Sequence, residues 1–231
     1  MNEMSEPKWK TWWEEHADPE YFLRVQRPRT VSVRPIIYAL MENVLKEGDR
    51  VLDVACGSAV DYEPIRDMGF LWTGVDMTKK FVNYVHDAYK DAEIYQMDVS
   101  QGLKFRNQQF NLSYAKDLFE HLAPKQWKRV VSEMWRVSSN YMIIAFFKPP
   151  DGYPTDYHIV TEKENKETVG VYSNHYNKEE WIKFIQSLPN VHTISIKESI
   201  VYRRRWNRPK GYSVWLVKRH REDEKKIDAL E

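Results

Sequence analysis

The segment Val51-Leu-Asp-Val-Ala-Cys-Gly-Ser-Ala-Val-Asp61 carries the densest chemical signal in the sequence. Its first residues read as a buried strand, a run of small side chains follows, and a helical pattern comes next. Small residues let a ligand approach the backbone, and a helix start offers N–H groups that lack partners within the helix. Asp53 falls at the end of the strand, facing the crevice that opens beyond the carboxyl edge of an α/β sheet. Taken alone, such a turn suits a dinucleotide, a phosphate or an adenosine-bearing cofactor. An acid inside the first turn disfavours phosphate through charge repulsion. The G-x-G-x-x-G dinucleotide spacing is missing, because Gly57 is the sole glycine of the stretch.

Two further acids recur at strand ends. Thr73-Gly-Val-Asp-Met77 places Asp76 23 residues beyond Asp53, where a carboxylate accepts hydrogen bonds from both ribose hydroxyls. Tyr95-Gln-Met-Asp98 closes the next strand with an acid suited to an adenine amino group. Three acids at three successive strand ends would face one crevice. As surface carboxylates that merely cap helices, they would have to arise three times independently.

The elements that must position these acids alternate from about residue 50 onward, which implies a mostly parallel sheet covered on both faces. Strand patterns occupy 50–54, 71–75, 94–97, 110–115 and 141–147, with helical patterns at 60–68, 79–91 and 124–137 between them. The last opens on Pro124 and puts Trp127, Val130, Val131, Met134 and Val137 on one stripe. A helix over 178–188 follows Asn177, a good N-cap, and strands are expected at 191–200 and 212–218. Residues 157–161 and 168–172 flank the polar turn 162–167, the pattern of a hairpin inserted after the fifth strand. Residues 1–45 read as Trp-rich helices, and the charged tail 221–231 as frayed. One domain over 1–231 is the economical division: an N-terminal helical segment at 1–45, a core at 46–150, an inserted hairpin at 151–176, and the last helix and strands at 177–220.

Composition narrows the classes. Among 231 residues, 35 Lys and Arg stand against 34 acids, a formal charge of +1 that excludes a globally basic nucleic-acid binder. Nine Trp and fourteen Tyr are too many for a disordered chain. Cys56 is the only cysteine, so an internal disulfide and a thiolate metal cluster are excluded, and no metal is expected. The longest apolar run, 142–147, is far short of the roughly 20 residues of a membrane helix. Residues 1–12 lack the apolar core of a signal peptide, so a cytoplasmic protein without membrane attachment is expected.

With these motifs in register, the chain resembles the class I S-adenosylmethionine-dependent methyltransferases. The resemblance is carried by residues 51–59, Gly74-Val-Asp76, Met97-Asp98 and Phe110-Asn-Leu-Ser-Tyr-Ala-Lys-Asp-Leu-Phe-Glu-His-Leu122. It implies a Rossmann-like, doubly wound α/β fold whose seven-stranded sheet has the order 3-2-1-4-5-7-6, the seventh strand antiparallel. It further implies S-adenosylmethionine as cofactor and S-adenosylhomocysteine as product. By the same resemblance, Asp53 and the backbone of Ala55, Cys56 and Gly57 would hold the methionine moiety. Asp76 would take the ribose, Met77 would pack on adenine, Asp98 and Val99 would read the adenine edge, and Lys116 would stand near the methionine carboxylate. Ala55 and Ala59 stand where the family often has glycine, and their methyl groups imply a negative φ at both. After the fourth strand the chain reads Ala115-Lys-Asp-Leu-Phe119, without the Asn/Asp-Pro-Pro-aromatic signature of the adenine- and glutamine-modifying branches.

A sulfonium methyl is already electrophilic, so such a protein mainly aligns a nucleophile and excludes water. A base is needed only for an acceptor that is protonated at neutral pH. His121, just past the fourth strand, is the best-placed candidate, with simple packing at the next helix as the plain alternative. His158, Tyr172, His175 and Tyr176, in and beside the hairpin, are candidates for an acceptor wall, as are Tyr153 and Tyr157; covering the sheet edge would equally account for the tyrosines. Trp12, Trp13, Tyr21 and Phe22 suit either a lid over the cofactor or a helix docked on the core. The loop 203–210 concentrates charge: 197–221 holds nine Lys and Arg against the single acid Glu198. Interleaved with Tyr202, Trp206 and Tyr212, it fits RNA, an acidic substrate, a homodimer contact or a solvated hairpin tip. A small-molecule acceptor is the favoured reading, with an RNA or protein acceptor and a non-catalytic adenosyl-ligand binder as alternatives.

Overall fold

The computed structural model describes residues 9–26, 33–147, 156–161, 170–202 and 209–220. Nine strands appear among them in chain order: β1 (Arg50–Val54), β2 (Leu71–Asp76), β3 (Glu93–Gln96), β4 (Phe110–Lys116), β5 (Ser138–Phe146), β6 (Asp156–Thr161), β7 (Gly170–His175), β8 (Val191–Tyr202) and β9 (Pro209–Arg219). The helices are α1 (Trp9–His16), α2 (Pro19–Gln26), α3 (Arg34–Val44), α4 (Tyr62–Asp67), α5 (Lys79–Ala88), α6 (Trp127–Val137) and α7 (Lys178–Gln186).

Seven strands form one sheet in the order β3-β2-β1-β4-β5-β9-β8. β1 through β5 pair in parallel, and β9 is antiparallel to both of its neighbours. This is the order expected from the sequence, with β9 as the seventh strand of that scheme. β6 and β7 pair antiparallel as a separate two-stranded sheet, and the turn 162–167 between them lies outside the described residues.

The parallel strands are covered on both faces, so their apolar residues divide by parity between two cores. Leu52, Val54, Met142 and Ile144 pack under α6 and α7 with Trp127, Trp181 and Trp215. Val51, Leu112, Ile143 and Ala145 pack on the other face with Ile37, Met41, Ile65 and Val85 of α3, α4 and α5. The Trp127 and Trp181 rings stack at 4.1 Å, pinning α7 to α6.

Four helix boundaries depart from the pattern, one being α7, which ends at Gln186 rather than at 188. α6 starts at Trp127 because Pro124 lies in a turn closed by Gln126 N–H to the Ala123 carbonyl at 2.8 Å. α4 starts at Tyr62 because residues 56–61 are spent on two tight turns, Ala59 N–H to Cys56 O and Tyr62 N–H to Ala59 O. α5 stops at Ala88, where Tyr89 turns to extended backbone. Among the described residues no helix is long and apolar enough to cross a membrane.

Candidate active site

The carboxyl ends of β1, β2, β3 and β4 open on one cavity of about 310 Å³. Asp53, Asp76 and Asp98 line it together, with the turn Ala55, Cys56 and Gly57, with Met77 and Val99, and with Lys116 and His121. Parallel pairing produces this convergence: each strand leaves the sheet at the same edge, so residues far apart in the chain end side by side.

The turn itself runs against expectation. Ala55 and Ala59 have φ of 62° and 52°, both in the left-handed region, as does Gly57 at 55°. A negative φ was expected from their methyl groups. The turn geometry overrides that preference, because Cys56 N–H must reach the Val75 carbonyl at 3.0 Å while the chain reverses toward α4. A side chain at Gly57 would meet no atom within 4 Å, so the backbone there faces open space in which a ligand can sit. Gly74 is needed for a different reason: a Cβ there would fall 2.2 Å from the Trp72 ring and 2.9 Å from Cys56 Sγ.

Asp76 is held by two backbone donors. Its Oδ2 accepts from Gly57 N–H at 2.9 Å and its Oδ1 from Thr78 N–H at 2.8 Å. Burial pushes its carboxyl above the usual range, against the pull of these backbone donors. Asp98 caps the short turn at Val99–Gln101 through Ser100, and its Oδ2 accepts from Lys10 of α1 at 2.5 Å. Burial opposes ionisation there, but Lys10 and Ser100 outweigh it and hold Asp98 below the ordinary carboxylate value. Met77, Phe81, Met97 and Val99 supply the apolar wall beside these two acids.

Asp53 is buried beneath the turn, and its Oδ2 accepts from Tyr114 OH and from Trp72 Nε1. Burial, reinforced by the nearby Asp61, pushes it up to about 8. Cys56 is pushed well above its usual value by burial and by Asp53, which leaves it a thiol rather than a nucleophile. Lys116 donates to Asp117, whose backbone is left-handed at φ 56° and whose Oδ1 is a buried acceptor with no hydrogen-bond partner among the described residues.

His121 stands in the cavity wall between two aromatic rings, Trp13 at 5.5 Å and Phe147 at 5.6 Å. Its Nδ1 is 2.9 Å from the Tyr172 carbonyl oxygen, which can only accept. The neutral ring therefore carries its proton on Nδ1 and presents Nε2 as the basic nitrogen. From the N-terminal segment, Trp13 and Phe22 line the cavity, while Trp12 stacks on His16 instead.

Among the described side chains, the other acceptor candidates do not line this wall. Tyr172 and Tyr176 are core residues: Tyr176 is 1% exposed, donates to the Phe119 carbonyl at 2.9 Å and packs against Trp127 and Trp181. Their rings are apolar enough to be drawn into the aromatic core between the hairpin and α7, which removes them from the cavity. His175 closes β7 and does not line the cavity either. His158 lies in β6 opposite Ser173, its side chain outside the described residues, as are Tyr153 and the side chain of Tyr157. The basic loop at 203–208 also lies outside them.

Four residues that line or support the cavity were given no role by the sequence: Arg34, Asp61, Tyr114 and Trp72. Arg34 of α3 pairs with Asp61 at 2.5 Å, and Tyr38 donates to the same Asp61 oxygen. Asp61 closed the turn segment that drew attention first, whereas nothing in the sequence singled out Arg34. Among the described residues, no group of three or more His, Cys, Asp and Glu is placed to hold a metal.

Comparison with known proteins agrees with this geometry. Residues 51–140 match the family model described as a methyltransferase domain. A probable 18S rRNA (guanine-N(7))-methyltransferase from Dictyostelium discoideum is 31% identical over 65 residues, 28% of this chain and 23% of that protein, so the chain spans under a quarter of this relative. Among solved structures, a Burkholderia thailandensis 1,6-didemethyltoxoflavin-N1-methyltransferase with bound S-adenosylhomocysteine superposes with a TM-score of 0.67 at 13% identity, over 92% of this chain and 87% of that one. A Methanosarcina mazei S-adenosylmethionine-dependent methyltransferase gives 0.64 at 19%, over 79% and 98%. The sheet is that of the class I S-adenosylmethionine-dependent methyltransferases.

Proposed function

We propose that this chain transfers a methyl group from S-adenosylmethionine to a small-molecule acceptor by in-line displacement. One observation carries the reading: three acids from three successive strand ends line one cavity with the 55–57 turn. The donor set matches the cofactor's chemistry, with a carboxylate for ribose hydroxyls at Asp76, an apolar slot for adenine between Met77, Phe81 and Val99, and Asp98 for its amino group. Bound there, the cofactor supplies a sulfonium methyl that needs no further activation.

The chain's own part is to bind, orient and keep water out. The turn backbone, Asp53 and Lys116 meet the amino-acid end of the cofactor. Trp13 and Phe22 act as a lid whose apolar rings exclude water from the cavity. His121 Nε2 takes the proton of an O–H or N–H acceptor, its ring held by the Tyr172 carbonyl. The aromatic boundary of Trp13, His121 and Phe147 favours a compact acceptor over a polymer.

An RNA acceptor is the second reading, favoured by the rRNA-modifying relative and by the Lys- and Arg-rich sequence at 203–210. The deciding experiment is incubation with methyl-labelled S-adenosylmethionine and cell extract, followed by counting small-molecule, RNA and protein pools. Label in small molecules, insensitive to salt, is the expected result. Label in RNA that falls steeply with salt would replace the acceptor assignment. Tight S-adenosylhomocysteine binding with no label in any pool would point to an adenosyl-ligand binder without transfer.

A further inference from the structure

Two buried carboxyl groups lie beneath the cofactor turn and divide four donors between them. Asp61 Oδ1 receives the Arg34 guanidinium and the Tyr38 hydroxyl. Asp53 Oδ2 receives only neutral donors, Tyr114 OH at 2.5 Å from β4 and Trp72 Nε1 at 3.2 Å from β2. The cation is thus committed to Asp61. Both donors on Asp53 meet the same oxygen, which leaves Oδ1 for a ligand on a residue that lines the cavity.

We propose that Tyr114 and Trp72 are positioning residues for the amino-acid end of the cofactor. By holding Asp53 Oδ2 they present Oδ1 to the cofactor's α-ammonium, and capture of that ammonium releases the Asp53 carboxyl proton to solvent. The inference rests on the cofactor reading above and deepens it. The reaction balances simply: a neutral carboxyl group and a cationic ammonium become a carboxylate–ammonium pair and one free proton.

The surroundings of Asp53 favour a proton there before the cofactor arrives. Burial and Asp61 both raise it, whereas Tyr114, Trp72 and the more distant Arg34 pull the other way. The other groups facing it do not take over the role. Burial pushes Tyr38 and Tyr114 above the ordinary phenol value, so both remain hydroxyl donors, and Cys56 remains a thiol. Asp76, which raises Cys56 from the opposite side, is tied to Gly57 and Thr78.

Calorimetric titration of the full chain with S-adenosylhomocysteine between pH 6 and 9, in two buffers of different ionisation enthalpy, tests this. Wild type should release close to one proton per ligand at pH 7, with affinity rising up to about tenfold per pH unit before levelling near pH 8. Tyr114→Phe removes the hydroxyl donor, so its affinity should be about fivefold lower at pH 7 and its plateau should move to higher pH. Trp72→Phe should move it the same way and serves if Tyr114→Phe folds poorly. The ligand's own amine titrates identically against both proteins, so the difference between profiles isolates Asp53. Variant profiles that coincide with wild type, or run parallel to it at every pH, would overturn the inference while leaving the cofactor site intact. Absence of S-adenosylhomocysteine binding by wild type would overturn the cofactor reading, and this inference with it.

Discussion

The Gly57 backbone N–H donates to Asp76 Oδ2 at 2.9 Å, joining the turn after β1 to the end of β2. The same carboxylate takes the Thr78 N–H through its other oxygen, so one side chain ties the turn after β1 to the start of α5, where the ribose is proposed to sit. The Thr78 side chain adds a third donor, and a carboxylate with about four acceptor sites still has room for a ligand hydroxyl.

Asp76→Ala should therefore weaken S-adenosylhomocysteine binding by about 1.5–3 kcal/mol, the range for hydrogen bonds to a charged group. Asp76→Asn keeps one acceptor and should lose less. Isothermal titration calorimetry, with circular dichroism to show that the variants are folded, reads the effect. Unchanged affinity in folded Asp76→Ala would sink the ribose assignment.

The left-handed backbone at Ala55 is a local strain that glycine would relieve. An L-residue in that region costs about 1–2 kcal/mol, and glycine returns part of this through the entropy of the unfolded chain. Ala55→Gly should stabilise the protein by up to about 1 kcal/mol in urea denaturation, and Ala55→Val should destabilise it by more than about 1 kcal/mol. A destabilised Ala55→Gly protein would show that the methyl group's packing outweighs the strain.

Asp53 makes stability depend on pH in a defined direction. Its folded-state value is raised to about 8, so the stability tied to its neutral form is fully present below about pH 4 and is lost as pH rises toward 8. Asp53→Asn keeps an acceptor for Tyr114 and Trp72 but cannot ionise. Its melting temperature should exceed that of wild type at pH 8, and the gap should close toward pH 4. A gap that does not change with pH would mean that Asp53 ionises as freely in the fold as in the unfolded chain.

Tyr176 separates core from substrate wall. Its hydroxyl bridges the Phe119 carbonyl and the Asn174 amide, each at 2.9 Å. Tyr176→Phe leaves a buried acceptor without this donor and should cost about 1–2 kcal/mol in chemical denaturation. S-adenosylhomocysteine affinity and acceptor KM should stay at wild-type values. A raised KM at unchanged stability would return Tyr176 to the acceptor wall.

The strands and the three acids at their ends were legible in the sequence because each depends on short-range pattern, whereas the strand order followed from the family resemblance. A parallel strand buried on both faces is a continuous apolar run, its end is marked by turn residues, and an acid at that end is recognisable by position alone. The asparagine cap at Asn177 was legible for the same reason: its side chain accepts from Glu180 N–H three residues away, a contact within one turn.

Where contacts span the fold, local pattern was silent or misleading. Tyr172 and Tyr176 were open to two readings, an acceptor wall or a cover for the sheet edge, and the aromatic core around Trp181 claims them. The sign of φ at Ala55 and Ala59 followed from the turn's hydrogen bond to β2 rather than from the residue type. Arg34 found Asp61, Tyr114 found Asp53 and Lys10 found Asp98 only once the sheet had brought them together. Sequence by itself determined the class of fold and the acids at its edge, because periodicity and chain order encode which residues end a strand. Tertiary structure decided which groups share a cavity, which carboxyl keeps its proton and which tyrosines are buried, because burial and electrostatic pairing depend on distances that no spacing along the chain contains.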